Sequence, residues 1–450
     1  MKNFIKAKGY LKSVRVSLLS VYCLFALVSL CIYFNGLHND FLHDDRFFIV
    51  QNLYLRSPAF LPQLLKMDIF HFSPSPSGYY RPIQMLSYGL DYFFWGLNPF
   101  GYHLTNVIIH SLNSFLVFLL VYLLFRSRLL GLLSGVLFCI HPIHIGVVTV
   151  IGGRSNILEM MFVFLALVSL VRYYIDKRNW EYLLSLLLFM LAVLSREGAL
   201  LLPFFAVLCA AVLKVDKKRL ALTILPFVVI CVLYLLFRGH FMPNDKLKFH
   251  DILSWQRLSV FFYLVQSYVS QLILPFGLAA RILPLKAALN MFLTPLSFAF
   301  ILGAALSVVF KNKPAAFGFI FYLLGLLPLL NLVDNIYFFG KILSEPYVYM
   351  ASVGFFIIAA AMLTRFYARL PKIAAPVTVL IILFYASLTV ANNMNYRDEA
   401  TFYKYLLNVD KNNTIAHLNL GNVYLTKKMF GQAEKEARIV LEIEPDAWDA

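Results

Sequence analysis

Two adjacent carboxylates, Asp44 and Asp45, open a polar stretch spanning 35–103 in a chain that is otherwise apolar to about residue 390. Like charges held side by side near a low-dielectric medium are costly. Such a pair therefore points to proton handling, the two acids titrating as a unit, or to a bound cation. The bland alternative is a solvated acid pair that helps to start a helix. Further polar residues follow at intervals. Tyr79-Tyr80-Arg81-Pro82 closes the stretch, with Arg81 suited to clamp a phosphate and Pro82 to the first turn of a helix. His103, Asn106 and His110 follow at spacings of three and four, one face of a helix. His141 and His144 flank Pro142, and Gly152-Gly153-Arg154 forms the next turn. Ser195-Arg196-Glu197 joins two short apolar runs, and Glu345 and Tyr347 precede a late one.

Each of these has a plain structural reading. A histidine at a helix end commonly satisfies a hydrogen bond, Arg154 and Arg196 can snorkel to headgroups, and Tyr79, Tyr80 and Trp95 suit an interfacial belt. Their convergence on one side is what favours a site. A divalent ion held by Asp44, Asp45, His103 and His141 is disfavoured, because the histidines lie on different runs and no local ligand spacing demands it.

The elements that must position these groups are membrane helices. The chain is 61% apolar and 14% charged, with a mean hydropathy of +0.75. A soluble chain of 450 residues could not cover that much apolar surface. The net charge of +16 is no nucleic-acid signature, since the basic residues cluster in short loops as cytoplasmic loops do. The five cysteines all fall within apolar runs and offer neither a disulfide framework nor paired ligands.

Placing basic loops inside predicts an all-α polytopic bundle of about eleven spans. They are 14–34, 104–125, 129–150, 157–174, 181–194, 199–213, 220–237, 291–310, 315–332, 348–363 and 373–390, with 258–275 dipping in from the outer side. The first is an uncleaved span with a cytoplasmic N-terminus. The spans 181–194 and 199–213 are shorter than a bilayer core, so their outer turn is expected to sink and place Arg196 and Glu197 on a cavity floor.

Two domains are expected: a membrane part over 1–391, with its first outer loop at 35–103, and an extracytoplasmic helical tail over 392–450. In the tail, 414–447 fits one tetratricopeptide repeat through Leu420, Gly421, Tyr424, Ala433 and Pro445, with His417 and Ala437 where aromatic residues are usual. A helix over 397–408 is expected to pack ahead of it. One repeat cannot bury its own face, so either the sequence is truncated or the repeat docks on something else.

The ordered set Asp44-Asp45, Tyr80-Arg81-Pro82, Tyr102-His103-Leu104-Thr105-Asn106 with His110, His141-Pro142-Ile143-His144 with Gly153-Arg154, and Arg196-Glu197 resembles membrane glycosyltransferases. Specifically, the chain resembles the transmembrane and tetratricopeptide repeat-containing O-mannosyltransferases and their bacterial relatives, within the GT-C superfamily. The resemblance implies a GT-C-like bundle in a bacterial inner membrane. It implies a polyprenyl-phosphate sugar as donor, mannose or another hexose as the group moved, and a protein Ser/Thr hydroxyl as acceptor. It assigns the catalytic acid to Asp44 or Asp45. Substrate contacts would come from Tyr80, Arg81, His103, Asn106, His110, His141, His144, Arg154, Arg196, Glu197, Glu345 and Tyr347. Membrane lipid and a protein captured by the repeat are the expected partners.

Two positions depart from the pattern: Gly146 stands where the family usually has an acid, and Pro346 where it usually has Arg. The first counts against a metal site, and the second removes a phosphate contact. Two other classes stay open. A lipid-linked sugar transporter would show internal repeats and mid-membrane charge, of which only Glu159 is evident; a non-catalytic scaffold would use the repeat to dock partners.

Overall fold

The computed structural model describes residues 2–73, 78–241, 255–278, 281–282, 303, 312–330, 342–343 and 345–446. Helices dominate. The apolar N-terminal run lies in α1 (Lys2–Tyr33), and the polar stretch 35–103 carries α2 (Pro82–Trp95). Next come α3 (Pro99–Phe125), α4 (Arg128–Ile140), α5 (Arg154–Asp176), α6 (Asn179–Val193), α7 (Leu202–Leu213) and α8 (Lys217–Phe241). After α9 (Trp255–Ile273) and α10 (Lys313–Leu326), the last bundle pair is α11 (Ser352–Arg369) and α12 (Pro371–Asn393). Among the described residues, the sole strand pairing is a two-residue antiparallel bridge between Arg281–Ile282 and Ile342–Leu343.

Local chemistry sets the helix ends. Pro82 and Pro99 occupy first turns, where their missing N–H costs nothing. The Asn98 and Ser127 side chains accept from Phe100 and Leu130 N–H. Helices α3, α5 and α7 each end at a basic residue in the left-handed region, Arg126, Lys177 and Lys214. A cation there complements the negative end of the helix dipole, so the residues that mark the loops by charge also stop the helices.

Helices α3, α4, α5, α6 and α11 pack into one apolar core with α10. Phe138, Phe164, Phe205 and Phe321 are fully buried in it. Helices α10 and α11 cross at Gly318 and Gly354: a Cβ on either would collide with the other's carbonyl oxygen, so only glycine permits that approach.

Among the described residues, six helical stretches are long and apolar enough to cross a membrane: Leu18–Gly36, Pro99–Phe125, Ile151–Asp176, Lys217–His240, Ser352–Arg369 and Pro371–Tyr396. Arg128–Ile140 and Pro142–Val148 make a seventh if the pair, bent by 55°, is one span. The stretches Asn179–Val193, Glu197–Leu213 and Lys313–Leu329 are apolar but shorter. Apart from residue 303, the expected span 291–310 lies outside the described residues.

The stretch 35–103 is no simple loop. It folds around its own apolar cluster of Phe48, Ile49, Leu55, Leu64, Met67, Ile69, Met85, Tyr88 and Tyr102, with Ile151 from the bundle. Helix α2 buries Gln84, Met85, Tyr88 and Asp91 against this cluster and exposes Leu90, Phe93 and Phe94. An apolar outer face of that kind suits a helix lying along the membrane surface.

After α12 come α13 (Glu399–Val409), α14 (Thr414–Thr426) and α15 (Phe430–Ile443). Helices α14 and α15 pack on each other, and α13 packs on α14. His417, where a repeat carries an aromatic, bridges the pair: its Nδ1 lies 2.6 Å from Glu436 Oε2 and its Nε2 lies 3.0 Å from the Lys411 carbonyl.

Candidate active site

The two acids part company. Asp45 is buried, and its Oδ2 accepts the Leu42 N–H at 2.9 Å. Gly152 lets backbone come close to it, since a Cβ there would stand 3.2 Å from Asp45 Oδ1. Burial pushes the Asp45 carboxyl up to about 7; the Leu42 N–H opposes this and the Asp44 charge adds to it. Asp44 instead turns into a cavity, with 42% of its side chain accessible and its Oδ1 3.2 Å from His43 Nε2. Burial raises its proton affinity, and the neighbouring His43 opposes that shift.

The cavity holds about 330 Å³ between the 35–103 segment, the bundle and the tail. Arg81 and Arg196 line it with Asp44, Tyr79 and Tyr347. Arg81 stacks over the Tyr79 ring at 4.5 Å and donates long hydrogen bonds to Glu197 Oε2 (3.3 and 3.4 Å) and Ser155 Oγ (3.4 Å). Arg196 lies 3.7 Å from Glu159 Oε2, and its buried Nε has no hydrogen-bond partner. That N–H is itself buried, and an unmet buried donor costs the desolvation of the group, while the guanidinium that carries it lines the cavity. A smaller pocket of about 40 Å³ adjoins, sharing Asn156, Arg196, Pro346 and Tyr347. Arg196 thus stands between the two spaces. Glu197 opens the turn as expected, but it faces Arg81.

Other predicted site residues lie among buried hydrogen bonds, away from this cavity's wall. Arg154 is fully buried: it donates to Asp91 Oδ2 at 2.5 Å, Asn106 Oδ1 at 2.6 Å and the Tyr102 carbonyl at 2.7 Å, over the Tyr88 ring. Asn106 also donates to the Val148 and Val150 carbonyls. Tyr80 donates to the Leu65 carbonyl.

The histidines pin segments together. His103 Nε2 pairs with the Asn39 carbonyl, and His141 Nε2 with that of Leu272. His110 bridges the Cys139 carbonyl and the Tyr349 hydroxyl, and His144 bridges the Phe138 carbonyl and the Ser352 hydroxyl. Backbone at Glu345 forms a short 3-10 turn with Tyr347; the Glu345 side chain lies outside the described residues. Among the described residues no three of His, Cys, Asp and Glu gather as a metal-holding group.

Sequence reasoning missed several members. Asp91 carries a signal, a lone acid in the apolar helix α2, which must find a cation once buried. His43, Glu399, Phe402 and Tyr403 carry none. Arg46 and Glu399 are 353 positions apart, and nothing local announces their 2.7 Å ion pair.

These features define a class: a polytopic helical membrane protein with a polar, arginine-lined cavity beside an acid. No protein-family model matches the chain. Its sequence is nonetheless similar to transmembrane and tetratricopeptide repeat-containing O-mannosyltransferases, in keeping with its motif order. Protein O-mannosyl-transferase F38B6.6 of Caenorhabditis elegans is 25% identical over 94% of this chain and 63% of its own length. Protein O-mannosyl-transferase Tmtc1 of Drosophila melanogaster is 28% identical over 52% of this chain and 31% of its own. The Xenopus laevis protein O-mannosyl-transferase tmtc2 is 35% identical over 32% of this chain and 18% of its own. The chain thus spans less than two thirds of these relatives. Among solved structures, ArnT of Cupriavidus metallidurans in the apo state matches 97% of this chain and 75% of its own, with a TM-score of 0.47 and 13% identity. A likeness of that degree assigns no activity.

Proposed function

We propose that this protein is a membrane glycosyltransferase of the GT-C kind. It moves a hexose, mannose by the names of its relatives, from a polyprenyl phosphate to a hydroxyl of a protein Ser/Thr acceptor at the extracytoplasmic face. The observation that carries the reading is the single cavity into which the Asp44 carboxylate and the Arg81 and Arg196 guanidinium groups open. Asp44 accepts the proton of the acceptor hydroxyl while its oxygen bonds to the anomeric carbon. The bond from that carbon to the phosphate oxygen breaks on the opposite face, inverting the centre. The phosphate leaves with the bonding pair, and its growing charge is met by Arg81 and by the unpartnered Arg196 Nε–H.

Pro346 leaves the cavity one cation short of the family pattern, but Arg81 and Arg196 both remain on its wall. The apolar grooves between spans take the isoprenoid tail. In this reading the N-terminus is cytoplasmic and the tail extracytoplasmic. The test is sugar transfer in membranes from radiolabelled undecaprenyl-phosphate mannose to a library of Ser/Thr peptides. General-base assistance is worth about 10²–10⁴-fold, so Asp44→Asn should lose activity on that scale with expression and donor binding kept. Wild-type transfer in Asp44→Asn would end the assignment.

A further inference from the structure

The residue before the proposed base is conformationally unusual. His43 has φ of +41°, a left-handed backbone that is strained for a non-glycine residue and persists only where its surroundings hold it there. What holds it comes from the far end of the chain. The His43 N–H donates to Glu399 Oε1 at 3.2 Å, and Glu399 Oε2 pairs with Arg46 at 2.7 Å. The Tyr403 hydroxyl lies 2.8 Å from His43 Nδ1, and the Asp40 N–H donates to the Arg397 carbonyl at 2.9 Å. The His43 and Tyr403 rings meet edge to face. Helix α13 thus grips the acid loop on both sides of Asp44, and Tyr396 and Phe402 beside it line the cavity itself.

The imidazole stands between the tail and the acid: its Nδ1 meets the Tyr403 hydroxyl, and its Nε2 lies 3.2 Å from Asp44 Oδ1. Fixing the ring therefore fixes the polar neighbour that the Asp44 carboxylate meets. We propose that the first tail helix is part of the catalytic centre, Tyr403 and Glu399 acting through His43 as positioning residues that aim the Asp44 carboxylate. The proposal rests on the reading of Asp44 as the base. It makes the tail a component of the transfer reaction, beyond any docking role.

The experiment uses the full chain in nanodiscs with radiolabelled undecaprenyl-phosphate mannose and the Ser/Thr peptide library. Tyr403→Phe removes one hydroxyl and keeps the ring. It should lower kcat about tenfold, within the ~10²-fold that misplacing a reacting group costs, with donor KM unchanged. Added to His43→Gln, or to Asp44→Asn, it should cause no further loss, because the three act on one carboxylate. Should Tyr403→Phe fail to fold, Glu399→Gln carries the same test, with the same kcat loss expected. Wild-type kcat in the folded variant, or a loss that multiplies in the Asp44→Asn background, would overturn the proposal. If instead Asp44→Asn itself transfers sugar at the wild-type rate, it is the base assignment that falls. The two failures are therefore distinct.

Discussion

The Tyr403 hydroxyl stands 2.8 Å from His43 Nδ1, across 360 positions of sequence. That contact joins the tail to the residue beside the proposed base, and it divides the polar residues into two groups. One group, Asp44, Arg81, Arg196 and Tyr347, opens to the cavity. The other, around Arg154 and the histidines, is locked inside.

Asp45 should matter less to transfer than Asp44. It is buried and its Oδ2 accepts the Leu42 N–H, so it shapes the loop from beneath. In the peptide-library assay, Asp45→Asn should cost less than about tenfold, against the general-base loss of about 10²–10⁴ for Asp44→Asn. Equal losses would mean that the pair shares one proton.

The same burial sets a pH dependence of stability. The Asp45 carboxyl is raised to about 7 in the folded protein, against ~3.9 in an unfolded chain. Between those values the folded state holds a proton that the unfolded state has released. The contribution of Asp45 is therefore fully present below ~3.9 and is lost as pH rises through about 7. Thermal melts of wild type in detergent should show this decline from pH 5 to 8, and Asp45→Asn should show a shallower one.

Transfer itself should depend on pH through Asp44. Base catalysis needs the carboxylate, and burial raises its proton affinity, so the acid limb of kcat/KM should fall above the ordinary carboxylate value of ~3.9. His43, Asp45, Arg46, Glu399 and Tyr403 surround the group and set where the limb lies. A rate profile flat down to pH 4 would argue against Asp44 as the base.

Arg154 and Arg196 should fail in different ways. Removing one partner of a buried ion pair costs about 3–5 kcal/mol, so Arg154→Ala should sharply lower the melting temperature through the abandoned Asp91. Arg196→Gln should leave melting nearer to wild type, raise the donor KM and lower kcat, because its Nε–H awaits an anion. Melting curves and donor titrations on the two variants separate the roles.

Orientation is open to cysteine labelling in a background without native cysteines. Lys217→Cys, at the exposed start of α8, should resist an impermeant reagent in intact cells, and Lys411→Cys in the tail should react. The reverse pattern would turn the bundle over and remove the cavity from the outer face.

The apolar runs, the helix stops at Arg126, Lys177 and Lys214, the polar segment with its acid pair, and the helical tail were all legible in the sequence. These depend on composition, local periodicity and caps, which act over a few residues. The convergence of Asp44 with Arg81 and Arg196 was legible in outline from the topology and the motif order. The sequence could not say which polar residues face the cavity. Arg154 and Arg196 look alike as letters, yet Arg154 meets Asp91, Asn106 and the Tyr102 carbonyl in a closed network, while Arg196 lines the cavity with one buried N–H unpartnered. Burial and pairing are properties of the packed whole. The grip of Glu399 and Tyr403 on His43 belongs to the same kind, for it exists only once the two ends of the chain are brought side by side.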